Sequence, residues 1–198
     1  GGLDPNVEAI VALKPDVVLL SNSARVVERL EALGLRTVTL EPRTQGDVHR
    51  VMHSVGAVLG KSPEVVESEW QRMQDGVNAA ADSLPKDVRG AKVYFEVSRG
   101  PYVAGPSSFI GEMLTRMQVG NVVPAEMGPF PRVNPEFILR ARPDVILMGN
   151  HSMQVAPSYP SWYTLDAVKQ QRVCAFDARE SGVIVRPGPR MDEAARII

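Results

Sequence analysis

His49 and His53 stand four residues apart in "DVHRVMHSV". On a helix that spacing brings both imidazoles to one face, as a two-histidine metal clamp requires. No glutamate lies between them in the zinc-protease manner, so they are read as a solvent-facing pair and no metal site is expected. Cys174 is the single cysteine and sits in the strand-like "RVCAF", where it reads as a small core residue rather than a nucleophile. "GPSSFIGE", residues 105–112, has the glycines of a phosphate loop without its Gly-Lys-Ser/Thr ending. No serine–histidine–acid arrangement emerges. The chain is therefore expected not to be an enzyme and to need no cofactor of its own.

Aromatic and arginine side chains carry more information. Tyr102, Phe130, Trp162 and Tyr163 fall in loops or at helix starts of the second half, and Arg132, Arg186 and Arg190 occupy similar segments. Placed after or between the strands of an open α/β layer, they form a candidate pocket wall, because ligands in such sheets bind beyond the strand carboxyl ends. Rings would grip a flat apolar ligand and guanidinium groups its acidic or amide edges. Tyr102, Phe130, Arg132, Trp162 and Arg186 are the candidate ligand-binding residues.

The elements that must position them repeat. "NVEAIVALKPDVVLL" (6–20) aligns with "NPEFILRARPDVILM" (134–148) at an offset of 128, matching Asn6 with Asn134, Glu8 with Glu136 and Pro15 with Pro143. Each copy reads as a capped helix, a proline stop and a strand apolar on both faces, which wants cover from both sides. "LEALGLRTVTLE" (30–41) and "LDAVKQQRVCAFD" (165–177) extend the likeness to a second helix and strand, so each half carries a parallel β–α–β unit. Between the copies, Val66, Trp70, Met73, Val77 and Leu84 form one apolar stripe behind Ser62 and Pro63, predicting a single helix over 62–84. The expected architecture is α/β: two Rossmann-like lobes joined by one long, stiff α-helix, with a partial N-terminal lobe over 1–61, the interlobe helix over 62–84 and a C-terminal lobe over 85–198. Glu8 and Glu136 fall in the first turn of the repeated helix, where negative charge is favourable. Two such carboxylates would suit a dimeric partner with two basic pockets.

Composition excludes other classes. Of 198 residues 44% are hydrophobic and 23% charged, as in globular proteins rather than disordered ones. A formal net charge of -1 argues against nucleic acid as a partner, and no 18-residue apolar run offers a membrane span. The opening Gly1-Gly2-Leu3-Asp4-Pro5 reads as a cut inside a longer protein or a processed end.

Together, "NVEAIVALKPDVVLL", "PYVAGPSSFIGEML", "FPRVNPEFIL", "NPEFILRARPDVILMG" and "VRPGPRM" resemble the helical-backbone (class III) periplasmic substrate-binding proteins of ABC importers over essentially the whole chain. The segments around Tyr102 and Phe130 are most similar to the cobalamin (vitamin B12) members. The resemblance implies a monomeric periplasmic or lipid-tethered receptor that captures cobalamin or another corrinoid in the interlobe cleft and delivers it to a permease dimer. It places Tyr102 and Phe130 as ring-stacking contacts, Arg186 as a polar contact, and Glu8 and Glu136 as the docking prongs. Family members begin with a strand–helix–strand that this chain lacks, so the first lobe is read as N-terminally incomplete. The family's acidic contact falls at Gly182, beside Glu180 and Ser181. The alternatives are a ferric siderophore, favoured by Arg132, Arg186 and Arg190, or haem with His151 or Met153 as axial ligand. From a different class, a chelatase- or nitrogenase-like subunit would need His or Cys clusters.

Overall fold

A computed structural model describes residues 5–21, 26–98, 101–149, 159 and 161–198. The chain divides into two compact units, residues 1–42 and 43–198.

In the first unit, α1 (Val7–Ala12), β1 (Val18–Leu20), α2 (Val27–Ala32) and β2 (Thr37–Thr39) form a β–α–β crossover with a two-stranded parallel sheet. Asn6 caps α1 by accepting from the Ala9 N–H at 2.8 Å. Lys14 ends that turn in the left-handed region at φ 47°, since the proline that follows disfavours the helical basin for the residue before it. Val7, Val26 and Leu30 are buried between the helices and the sheet, with Val18 and Leu20 packed against them.

The second unit writes this motif again, with the same cap, the same left-handed stop and a longer crossover. In α6 (Pro135–Ala141) the capping Asn134 accepts from Phe137 N–H at 2.9 Å, and Arg142 takes φ 45° before Pro143. Strand β6 (Val145–Met148) pairs in parallel with β7 (Val173–Ala175) after α7 (Asp166–Lys169). The registers coincide: Val18 opposes Thr37 as Ile146 opposes Val173, and Leu20 opposes Thr39 as Met148 opposes Ala175.

One expectation for the repeated strands is corrected. Leu147 is 4% exposed because helices cover both faces of β6, whereas its counterpart Leu19 is 42% exposed. In the first unit α1 and α2 pack on the Val18/Leu20 face alone. Cys174 departs too. It is exposed rather than core, lying on β7 at the sheet edge.

Around β6 and β7 the second sheet adds β3 (Lys92–Ser98), whose free edge is shared by β5 (Gly120–Asn121) along its start and antiparallel β4 (Tyr102–Val103) along its end. Helix α4 spans Pro63–Ser83, 21 residues and therefore about 32 Å long. Met73 and Val77 on its stripe are fully buried against Phe95, α5 (Phe109–Arg116) and α9 (Met191–Ile197). Each such side chain contributes about 1.5–3 kcal/mol. At Gly76 a Cβ would stand 2.6 Å from the Cβ of Asp192, so the α4–α9 approach needs glycine there. Helix α3 (Gln45–Val58) packs against α4 within the same unit and is closed at its start by a reciprocal capping box between Thr44 and Asp47. Helix α8 (Ala178–Ile184) carries a second one, between Asp177 and Glu180.

Candidate ligand-binding face

Residues 101–105 run from the end of β3 into α5, and residues 129–133 return alongside them as an antiparallel ribbon. Val103 N–H donates to Pro131 O at 3.0 Å, Gly105 N–H to Pro129 O at 2.8 Å and Val133 N–H to Pro101 O at 3.1 Å. Tyr102 and Arg132 lie directly opposite each other between two of those bonds, a non-hydrogen-bonded pair. Their side chains therefore leave the same face, with Cβ atoms about 4.5–5.5 Å apart. Strand alternation adds Phe130 to that face. Its half-buried ring rests on Phe109 at 5.9 Å, while Tyr102 is 42% exposed. Rings and a guanidinium thus share one surface, suited to a flat ligand with polar edges.

Glycines make the ribbon possible. A Cβ at Gly105 would collide with the carbonyl oxygen of Gly128, which itself turns at φ 84°. The start of α5 packs as tightly: Ser108 accepts from Gly111 N–H at 3.0 Å and donates to Gly105 O at 2.7 Å.

The opposite face of β3 holds two functional candidates that sequence reasoning missed. Glu96 is fully buried in mid-strand, taking hydrogen bonds from the hydroxyls of Tyr94 at 3.1 Å and Tyr159 at 3.4 Å. Burial, then the Glu96 carboxylate, push the Tyr94 hydroxyl well above the usual phenol range, so it stays protonated and keeps donating. Tyr159, with Pro101 and residues 132–135, lines an open concavity of about 590 Å³. The only sequence signal for Glu96 is one acid inside the apolar run "KVYFEVS".

Trp162 is corrected. At 4% exposure it sits in the core, edge-on to Tyr94 at 5.9 Å and 4.6 Å from Tyr159, while its neighbour Tyr163 faces water. A 3-10 turn, Trp162–Thr164, rotates the larger ring inward. It packs against Tyr159 and buttresses it from the core side. Arg186 is exposed on the turn after α8, a different loop from the ribbon. At the other end of α8, Glu180 closes the capping box and Ser181 donates to Phe176 O at 3.3 Å. His151 and Met153 lie outside the described residues. Glu8 and Glu136 are both exposed in the first turn of their helices, each in its own unit, and Glu8 pairs with Arg29 at 2.6 Å.

Matched β–α–β units define an α/β protein, and the ring-and-guanidinium face is its candidate binding surface. The chain belongs to the periplasmic binding protein family, whose model matches residues 1–180. That is a family of binding proteins rather than enzymes, and a periplasmic location follows from it. No helix among the described residues is long and apolar enough to cross a membrane.

The chain is 27% identical over 205 residues to an uncharacterized ABC transporter substrate-binding lipoprotein, YvrC, of Bacillus subtilis, covering 98% of this chain and 63% of that protein. It is 32% identical over 151 residues to a cobalamin-binding protein of Halobacterium salinarum, covering 73% of this chain and 40% of that one. It thus spans less than two thirds of the length of either relative. A possible iron-binding (periplasmic solute-binding) protein of Staphylococcus epidermidis shares its fold, with a TM-score of 0.79 at 22% identity over 98% of this chain and 79% of the other.

Proposed function

We propose that this chain is the substrate-binding component of an ABC importer and that its cargo is cobalamin or another corrinoid. The supporting observation is the ribbon face that gathers Tyr102, Phe130 and Arg132 beyond the end of β3. A corrin offers the rings a broad apolar plane and the guanidinium a rim of amides. The 32% identity to a cobalamin-binding protein favours this cargo over an iron chelate. Glu8 and Glu136, at equivalent first-turn positions, dock the receptor to two equivalent basic pockets of a permease dimer. Nothing in this role calls for covalent chemistry. The cargo leaves as it arrived.

Absorbance titration of the purified protein with cobalamin, haem and a ferric hydroxamate tests the cargo. Saturable binding of one cobalamin per chain, without competition from the other two, is expected. Tight haem or hydroxamate binding with none for corrinoids would overturn the assignment.

A further inference from the structure

Away from the ribbon, α3 and α4 bring three ligating groups to one point. His49 and His53 occupy successive turns of α3, and Glu67 reaches them from the second turn of α4. Glu67 Oε2 lies 2.8 Å from His49 Nε2 and 3.3 Å from His53 Nε2, and the two imidazole nitrogens are 3.2 Å apart. Zinc–nitrogen and zinc–oxygen bonds of 2.0–2.2 Å in a tetrahedron place neighbouring donors about 3.3 Å apart. Two of the three separations already have that length, and the third needs to open by about half an ångström. Trp70, one turn beyond Glu67, lies against the His49 ring at 4.5 Å and 30° and restricts its rotation.

We propose that His49, His53 and Glu67 form a binding site for one divalent transition-metal ion of the zinc, copper or nickel kind, tying α3 to α4. Two imidazoles and one carboxylate are a borderline donor set that suits these ions, whereas calcium and magnesium take oxygen donors. Three atoms with lone pairs converge here with only ring protons between them. A cation at their centre satisfies all three at once. The groups are partly exposed, so the fourth position is open to water. The i, i+4 spacing supplies only a pair, and the third donor comes from another helix.

The test is a titration of tag-free, chelator-dialysed protein with zinc chloride by calorimetry, and with copper or nickel chloride by tryptophan fluorescence. One ion per chain, no binding of calcium or magnesium, and strong quenching that Trp70→Phe largely removes are expected. His49→Ala, His53→Ala and Glu67→Gln should each weaken zinc binding by roughly tenfold or more. All three side chains are partly or largely solvent-exposed, so circular dichroism should report folded variants. Zinc should also raise the Tm of the wild-type protein by a few degrees and not that of the double histidine variant. Absence of saturable zinc binding, or zinc binding undiminished in the double variant, would overturn the site whatever the cargo proves to be.

Discussion

Gly111→Ala probes the packing that holds the ribbon in place. A Cβ built at Gly111 would stand 2.7 Å from Pro106 Cα and 2.8 Å from the Gly105 carbonyl carbon, closer still to that carbonyl's oxygen, and all three are backbone atoms. Reaching an ordinary contact of 3.4 Å requires a backbone shift of more than about 0.7 Å in a buried segment, because the carbonyl oxygen is the nearest of the three. Overpacking of this kind costs about 1–3 kcal/mol, against which alanine recovers at most about 1 kcal/mol of helix propensity. The closeness of the carbonyl oxygen puts the cost toward the upper end of that range, so the net loss is about 1–2 kcal/mol, which for a chain of this size lowers Tm by about 2–8 °C. Because residues 105–106 lead out of the Tyr102 strand, ligand affinity should fall with it. Gly46→Ala is the control: near the start of α3 its Cβ would meet nothing nearer than 3.7 Å, and stability should hold or rise slightly. Urea and thermal unfolding of both variants provide the comparison. A Gly111→Ala protein as stable as the wild type would refute the close-approach reasoning.

Two other perturbations separate binding from support. Tyr102→Ala or Arg132→Ala should weaken ligand binding, read by calorimetry, with Tm nearly unchanged, since both side chains are exposed. Trp162→Phe should do the reverse, lowering Tm while leaving affinity close to wild type, because its ring is packed in the core. The backbone N–H of Thr44 holds the Asp47 carboxyl below its ordinary value of 3.8. A lowered folded-state pKa means that the cap's contribution is complete above about pH 4 and fades as pH falls through the depressed value. Asp47→Asn should therefore be less stable than wild type at pH 7, with the two unfolding midpoints converging as pH falls through the depressed value; a gap that stays constant with pH would contradict this.

The repeat was the most legible part of the fold. Its caps, prolines and apolar runs are local signals, and the long helix announced itself through Pro63 and a stripe at three- and four-residue spacing. Left-handed Lys14 and Arg142 were not readable, because neither side chain favours that basin and only the following proline hints at it. Burial was harder. Leu19 and Leu147 look alike in sequence yet differ in exposure because cover comes from distant elements. Trp162 and Cys174 were misread for the same reason: a ring beside a loop can turn either way, and a mid-strand thiol is exposed when its strand lies at an edge. The ribbon pairing of Tyr102 with Arg132 joins residues 30 apart, and Glu67 meets its histidines across a helical hairpin; neither leaves a local trace.

Delivery to an importer is tested most directly by reversing both prongs, Glu8→Lys with Glu136→Lys, and measuring permease ATPase stimulation in reconstituted vesicles alongside ligand affinity. Paired docking at equivalent positions predicts that stimulation is lost while cargo binds as before. Stimulation at the wild-type level from a doubly reversed, ligand-loaded receptor would contradict it.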